Sequence, residues 1–191
     1  QDIKRIIAYS SVSQMGYILF GLGTLTLRGM EGAIMHVVYH AIVKALLFMV
    51  VGIIIHITQQ RNIQKIGGLG FKYPGVAVAA AIGVLGISGM PPLGIFNSEW
   101  MIFAGGFDSG ISNLVTVLTL IGSLLTVVYA LRFFGGIFFG QKQPEVLPAK
   151  APLSLVLPTI AVTVFLIVEG LIPGPLLAWA ERGLTMIFGG I

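Results

Sequence analysis

The stretch GAIMHVVYHAIVKALLFMVVGIIIHI, residues 32–57, decides the fold class of this chain. As an α-helix it would be about 39 Å long, which exceeds the roughly 30 Å of a bilayer's hydrocarbon core. Lys44 lies near its middle, where a cation costs roughly 2.5 to 3.5 kcal/mol on insertion scales. Such residues usually face the interior of a helix bundle or a wet cavity, so Lys44 is the first candidate for a proton or ion path.

Two histidines accompany this lysine. His36 and His40 precede Lys44 by eight and four positions, which places all three on one face of a helix over about 12 Å. We call these three residues the His-Lys stripe. A buried lysine that can hold and release a proton suits a relay. The alternative is a permanently charged, paired Lys44 with histidines bonded to backbone carbonyls; we favour the relay and place His56 off the stripe, at the helix end.

Composition agrees with a membrane protein. Apolar residues make up 56% of the chain and charged residues only 9%, far from ordinary soluble usage. The net charge of +4 comes from basic residues in short loops between apolar spans, where they set orientation, so nucleic-acid binding is not expected. The lack of cysteine excludes disulfides and thiolate metal sites. We expect no cofactor, no metal site and no catalytic residue in the enzymatic sense.

Further apolar windows predict the remaining spans. One window, residues 73–107, is interrupted by Gly89-Met90-Pro91-Pro92-Leu93-Gly94, where proline removes backbone donors. It predicts one discontinuous crossing built from two half-helices. We therefore expect an all-α, polytopic transmembrane bundle with about five crossings and with the first residues cytoplasmic. The uninterrupted windows are residues 6–27, 32–57, 111–139 and 152–172.

Glu99 is the second intramembrane charge, just beyond the proline break. The N-terminal end of a half-helix favours an anion, and broken helices carry the binding sites of many transporters. Asn97 or Ser98 can cap this half-helix, so the alternative is that Glu99 only completes the cap. We favour a role in loading and releasing a proton.

The chain is predicted to form one membrane domain, residues 1–191. Gln141 to Pro152 carries three prolines and mixed charge, which predicts a short connecting loop. Residues 174–191 mix apolar residues with Trp179 and charged side chains, which is typical of an interfacial C-terminal helix. Because the chain begins with Gln1 and lacks an initiator Met, we expect it to belong to a longer protein.

Three stretches together resemble the antiporter-like proton-translocating subunits of respiratory complex I, Mrp antiporters and membrane-bound hydrogenases. They are DIKRIIAYSSVSQMGY at 2–17, HVVYHAIVKALLF at 36–48 and GMPPLGIFNSEWMIF at 89–103. The resemblance implies a larger fold with inverted repeats, of which this chain is the second part. It implies that Lys44 is the bridging lysine of a hydrophilic axis, that His36 and His40 connect it, and that Glu99 is the terminal proton-loading residue. Many relatives carry lysine at that last position; glutamate points to the M-subunit type of complex I or to hydrogenase subunits.

The function implied by this resemblance is proton translocation by a non-redox subunit of a redox-driven translocase. The complex would be an NADH:quinone oxidoreductase or a related membrane-bound hydrogenase. Implied partners are other membrane subunits, the first half of the fold or its equivalent, and the lipid bilayer. The implied location is a prokaryotic inner (plasma) membrane or an organellar inner membrane. Two alternatives stay open: a Na⁺/H⁺ antiporter module of an Mrp-type assembly, and a structural membrane subunit whose buried charges only hold helices together.

Overall fold

The structure is a computed structural model that describes residues 2–140 and 151–188. These residues fold into α-helices, a short 3₁₀ helix at Ile63–Lys65 and one isolated antiparallel bridge between Asp2 and Asn62, with no β-strand in the described ranges. The all-α prediction is confirmed. The α-helices are α1 (Ile3–Gly23), α2 (Leu27–Thr58), α3 (Leu69–Lys72), α4 (Pro74–Ile87), α5 (Gly94–Asp108), α6 (Asn113–Phe138), α7 (Leu153–Leu171) and α8 (Gly174–Phe188).

Polar residues fix the ends of the first two helices. The Asp2 carboxylate accepts hydrogen bonds from the backbone N–H of Lys4, at 2.8 Å, and of Arg5, at 3.2 Å, and so caps α1. Thr26 caps α2 in the same way by accepting from the N–H of Gly29. Helix α2 closes at Gln59, whose backbone is left-handed at φ 52°. The helix thus extends beyond the predicted window, 32–57, at both ends.

Four helices of the described chain are long and apolar enough to cross a membrane: α1, α2, α6 and α7. Helices α4 and α5 are shorter and together form the predicted discontinuous crossing. Helix α4 follows the end of α2, whereas the end of α5 lies beside the start of α2, where Arg28 Nη1 and Asp108 Oδ2 are 3.1 Å apart. The two half-helices therefore run the length of the bundle once.

The break between α4 and α5 corrects one sequence prediction. Pro91 and Pro92, joined by a cis peptide bond, supply no N–H, and the chain becomes helical again at Gly94. Asn97 and Ser98 therefore lie inside α5, and the capping role predicted for them is wrong. The N-cap position is Leu93, without a side-chain hydrogen bond. Glu99 lies in the second turn, so it does not complete a cap.

Helix α2 is the centre of the bundle. It packs against α1, α4, α5, α7 and α8. Its contact with α5 depends on glycines, because a Cβ on Gly32 would lie 2.8 Å from the backbone of Ser98 and Ile102, and a Cβ on Gly94 would meet the Tyr39 ring. Small residues at such contacts let helix backbones approach closely. The central position of α2 places the His-Lys stripe in the interior.

Helix α8 begins at Gly174, within the segment predicted to form an interfacial helix. Ala180 is buried against the bundle, whereas Trp179 is 57% exposed. Its position at a membrane interface stays a prediction. The predicted connecting loop from Gln141 to Pro152 falls largely on residues 141–150, outside the described residues, as do residues 189–191.

Candidate proton-transfer site

All four predicted site residues are buried. The exposed fraction is 0% for His36, 7% for His40, 6% for Lys44 and 5% for Glu99. Buried polar groups in proteins almost always have hydrogen-bond partners, and an unpartnered one points to water or to a functional role. The partners of these four residues define what the site can do.

Lys44 bonds to neutral oxygens of α1. Its Nζ donates to the backbone oxygen of Ile7 and to Ser10 Oγ. Within residues 2–140 and 151–188 the one ion pair joins Arg28 to Asp108. In this part of the chain, Lys44 is therefore not the permanently paired charge that the alternative interpretation requires.

His36 connects three helices. Its Nε2 lies 2.8 Å from Gln14 Oε1 on α1, and its Nδ1 lies 3.0 Å from Ser98 Oγ on α5. Both ring nitrogens are thus engaged by side chains, and not by backbone carbonyls as the alternative predicted. Such partners fix the orientation of the imidazole and select its tautomer.

His40 lies between His36 and Lys44. The two imidazole rings are stacked, with centroids 6.3 Å apart and planes at 8°. Stacked rings do not point their nitrogens at each other, and His40 Nε2 makes no hydrogen bond to any described residue. Proton transfer along the His-Lys stripe therefore needs a bridging water at this point.

Glu99 faces away from the His-Lys stripe. Its Oε2 accepts a hydrogen bond from Ser123 Oγ of α6 at 2.9 Å, and a Cβ on Gly89 would meet the same oxygen. Consecutive residues of a helix are about 100° apart, so Ser98 faces α2 while Glu99 faces the break and α6. Oε1 has no hydrogen-bond partner in the described chain.

The structure thus brings together His36, His40 and Lys44 and places Glu99 on a different face of α5, towards α6. The partners missed by the sequence reasoning are Ser10, Gln14, Ser98 and Ser123. The two on α1 carried a signal, because they are polar positions on a face that is otherwise apolar and repeats with helical period. The buried residues of that face are Ile3, Ile7, Ser10, Gln14, Tyr17, Ile18 and Gly21.

Ser123 carried no such signal. It is one of several hydroxyl residues in α6, whose mean hydropathy is 2.3 over its most apolar window. Only its contact with Glu99 distinguishes it.

The side chains of this site are of kinds that can exchange protons. Imidazole, ammonium, carboxyl and hydroxyl groups each donate or accept protons depending on their state. In the described ranges, no three His, Asp or Glu side chains converge as a metal site would require. Its polar groups lie inside an otherwise apolar bundle.

Comparison with known proteins agrees with this arrangement. Residues 1–126 match the family described as NADH:quinone oxidoreductase/Mrp antiporter, TM. A Na(+)/H(+) antiporter subunit A1 from Staphylococcus haemolyticus (strain JCSC1435) is 33% identical over 199 residues, covering 91% of this chain and 25% of the relative. The corresponding subunit from Staphylococcus aureus (strain JH9) is 36% identical over 200 residues, with the same coverage. The chain thus spans about a quarter of the length of these relatives.

Solved structures share the fold. A chain of the Mrp complex from Dietzia sp. DQ12-45-1b superposes with a TM-score of 0.88 at 24% identity, covering 96% of this chain and 42% of that one. A chain of the membrane-bound sulfane sulfur reductase, an archaeal respiratory membrane complex, superposes with a TM-score of 0.86 at 34% identity, covering 97% of this chain and 30% of that one. A chain of respiratory complex I from Thermus thermophilus superposes with a TM-score of 0.83 at 24% identity, covering 95% of this chain and 39% of that one.

The two matches at 24% identity establish the fold alone. All three neighbours are chains of multi-subunit membrane complexes. The match over residues 1–126 establishes more, because it covers most of the chain and contains the His-Lys stripe and the proline break. The chain is a multi-pass, antiporter-like membrane protein that belongs to the NADH:quinone oxidoreductase/Mrp antiporter transmembrane family.

Proposed function

We propose that this chain is part of a proton-translocating subunit in which Lys44, His40, His36 and Glu99 hold and pass protons inside the membrane. The main support is the polar interior of the bundle. Three titratable groups of α2 are more than nine-tenths buried, and two of them bond to side chains of other helices. Intramembrane ionisable residues are expensive to insert and mark ion pathways far more often than not.

Each residue has a separate task in this proposal. Lys44 holds a proton as an ammonium against the oxygens of Ile7 and Ser10, and becomes a neutral amine when it releases it. His36, fixed by Gln14 and Ser98, passes protons along the stripe. Glu99 receives a proton as a carboxylate and holds it as a neutral acid.

The buried setting couples these steps to neighbouring subunits. A charge that changes in a low-dielectric interior is felt over longer distances than a surface charge. Protonation of Lys44 and Glu99 can therefore respond to charge movements elsewhere in a complex without any redox group in this chain. The proline break between α4 and α5 supplies the irregular backbone through which water reaches Glu99.

For the whole assembly, we propose a redox-driven respiratory complex, either an NADH:quinone oxidoreductase or a related membrane-bound hydrogenase. The 34% identity to a chain of an archaeal respiratory membrane complex supports it. Other membrane subunits and the remaining part of a longer antiporter-like fold would be its partners. The complex would be located in a prokaryotic inner membrane or an organellar inner membrane.

A second candidate is a Na⁺/H⁺ antiporter module of an Mrp-type assembly. It is supported by the subunit A1 relatives at 33% and 36% identity. The scarcity of carboxylates in the spans favours protons as the ion that this chain handles, because oxygen-rich sites suit Na⁺. Sodium dependence of transport separates the two candidates.

The domain organisation is proposed with the function. Residues 1–191 would act as one membrane domain, with residues 174–191 at its edge. Helix α8 has one buried side and one exposed side, with Ala180 at 1% and Trp179 at 57% exposure. This pattern suits a helix that lies in the membrane interface and anchors the end of α7.

Proton uptake by inverted membrane vesicles that carry the complete complex tests the proposal. Lys44→Met and Glu99→Gln are expected to lower uptake by roughly tenfold or more, because a positioned acid–base group contributes about 10²–10⁴-fold to proton transfer. Electron transfer and subunit content are measured in the same vesicles. Met fills the space of the lysine stem and leaves no unpaired charge, so assembly should survive.

Matched controls are the exposed residues Lys72 and Glu181, changed to Met and Gln. They should leave uptake unchanged. If Lys44→Met and Glu99→Gln instead reduce the amount of assembled complex, the two charges are structural. If assembled variants take up protons like wild type, the proposed roles are wrong. Loss of transport when Na⁺ is replaced by choline would favour the Mrp-type candidate.

A further inference from the structure

A group of hydroxyl side chains lies between α1 and α6, beside the proposed relay. A cavity of about 450 Å³, open at the surface of the bundle and mainly apolar, adjoins them and is lined in part by Ser13, Tyr17, Thr126 and Tyr129. At about 30 Å³ per molecule in the liquid, this volume has room for several waters. We call the group the α1–α6 hydroxyl cluster; its members are Ser10, Ser13, Tyr17, Ser123, Thr126 and Tyr129.

One end of the cluster reaches Lys44. The lysine Nζ donates to Ser10 Oγ. Ser13 and Tyr129 line the cavity, and the Tyr129 hydroxyl has no hydrogen-bond partner in the described chain. Ser13 follows Ser10 by one turn and donates to its backbone oxygen at 3.0 Å. A proton on Lys44 therefore lies next to the Ser10 hydroxyl, one helical turn from Ser13 in the lining of the cavity.

The other end of the cluster reaches Glu99. Ser123 Oγ donates to Glu99 Oε2 at 2.9 Å. Thr126 lies one turn further along α6, is 1% exposed, and lines the same cavity as Tyr17 and Tyr129. Its Oγ1 makes no hydrogen bond of normal geometry with any described residue. Such a buried, unpartnered hydroxyl indicates a mobile water or a shifting hydrogen-bond chain.

The His-Lys stripe does not reach Glu99 in this way. On α5, His36 hydrogen-bonds to Ser98, and the Ser98 hydroxyl donates to the backbone oxygen of Ile95 at 2.8 Å. The Glu99 carboxyl points to α6, on another side of α5. In the described chain, the hydroxyl cluster therefore contacts both Lys44 and Glu99, whereas the side-chain hydrogen bonds of His36 go to Gln14 and Ser98.

We propose that the α1–α6 hydroxyl cluster, with water in its cavity, is a second proton route from Lys44, one that reaches Glu99 and operates beside the path along His40 and His36. This inference rests on the proposed proton-translocating function. Each hydroxyl accepts one proton and releases another, so every oxygen in the file breaks one O–H bond as it forms one. The net change is that the Lys44 ammonium becomes an amine and the Glu99 carboxylate becomes a carboxylic acid.

Combined substitutions test for parallel routes, using proton uptake by vesicles that carry the complete complex. Tyr129→Phe with Thr126→Val removes two hydroxyls and keeps the side-chain shapes, and is expected to lower uptake several-fold while leaving some. His36→Gln with His40→Gln should also leave some. All four changes together should bring uptake to background, because both routes are then interrupted.

Matched controls use the same chemistry elsewhere. Tyr9 is 66% exposed, and Thr163 donates its hydroxyl to the backbone oxygen of Thr159 on α7. Tyr9→Phe with Thr163→Val should therefore leave uptake unchanged. Wild-type uptake by assembled complex with Tyr129→Phe and Thr126→Val, both alone and with the histidine changes, overturns the second route.

A plug in the cavity tests the role of water without removing a hydroxyl. Gly16 lines the cavity, and a Cβ there would meet nothing within 4 Å. Gly16→Leu should occupy part of the cavity, displace water there and lower uptake several-fold. Gly135→Leu on α6, also free of neighbours within 4 Å, is the control and should be neutral. Equal uptake by the two assembled variants overturns the role of the cavity.

Radiolytic footprinting reports the water directly. Tyr129 should be oxidised in wild type and protected by Gly16→Leu, whereas the packed Tyr39, 1% exposed, gives the background. An unoxidised Tyr129 in wild type overturns the proposal, since lipid would then fill the cavity. Failure of the proposed function gives a different result, because the Lys44→Met variant would then take up protons like wild type, with or without the hydroxyl substitutions.

Discussion

Helices α2 and α6 are equally suited to a membrane and occupy opposite situations in the fold. Their most apolar windows have mean hydropathies of 2.4 and 2.3, yet 56% of the α2 window is buried in the protein and only 17% of the α6 window. Hydropathy thus measures whether a helix can enter a bilayer and says little about its place in the bundle. The central position of α2 was indicated by Lys44, because a cation in a span must face protein or water.

Glycines mark the same difference. Those at the contact of α2 with α5 have backbone or ring atoms where a Cβ would lie, as at Gly32 and Gly94. Gly135 of α6 has nothing within 4 Å of that position. Gly32 and Gly94 are therefore fixed by packing, whereas Gly135 is free to change. The following predictions test this contrast between the centre and the periphery.

The largest effect is expected from Gly94→Ala. The added methyl would meet the Tyr39 ring and force α2 and α5 apart, and overpacking of this kind costs about 1–3 kcal/mol. Gly135→Ala should be neutral or slightly stabilising, because Ala is the better helix former by about 1 kcal/mol. Thermal melting of the purified complex in detergent compares the two. Equal melting temperatures would remove the distinction between centre and periphery.

Gly89→Ala should have the next largest effect. Gly89 has a left-handed backbone with φ of 62°, and its Cβ position is next to Glu99 Oε2. An alanine there costs about 1–2 kcal/mol in backbone strain and moves the carboxyl away from Ser123. Proton uptake per assembled complex should therefore fall as well as stability. An unchanged uptake would show that proton transfer does not depend on the position of the Glu99 carboxyl.

His36→Gln should lower proton uptake several-fold without destabilising the complex. Gln can still hydrogen-bond to Gln14 and Ser98, but it cannot be protonated in the physiological range. His56→Gln is the matched control, because His56 is exposed near the end of the same helix. Vesicle uptake measured beside subunit content separates transport from assembly. Identical losses in the two variants would contradict the special role of the buried imidazole.

The smallest effect is expected from the ion pair Arg28–Asp108. It ties the end of α5 to the start of α2, but its two side chains are 58% and 55% exposed. Exposed pairs of this kind contribute about 0.2–1 kcal/mol. A double-mutant cycle with Arg28→Ala and Asp108→Ala, read by melting temperature, should give a coupling in that range. A much larger coupling would make this edge of the bundle as important as its centre.

The sequence predicted the architecture well because its signals are local. Long apolar windows, the break at Pro91 and Pro92, and the shared face of His36, His40 and Lys44 each follow from a short segment read alone. The prediction failed at Asn97 and Ser98, which lie inside α5. The helix resumes as soon as the prolines are passed, and so no side chain caps it.

The site was less completely predictable. Ser10 and Gln14 could have been found from the buried face of α1. That Ser10 pairs with Lys44 and Gln14 with His36 could not have been found in this way. Ser123 had no local signal. Its importance depends on α6 lying beside the break, a contact between segments that are distant in sequence.

By itself, the sequence determined that this protein is a helical membrane bundle with a broken crossing and a central span that carries buried titratable groups. Length, hydropathy and helical period are properties of single segments, so they can be read without the fold. Only the tertiary structure decided that Lys44 bonds to neutral oxygens of α1, and that Glu99 turns away from the histidines towards α6. These outcomes depend on how each helix is rotated against its neighbours, and that rotation is set by packing among all of them at once.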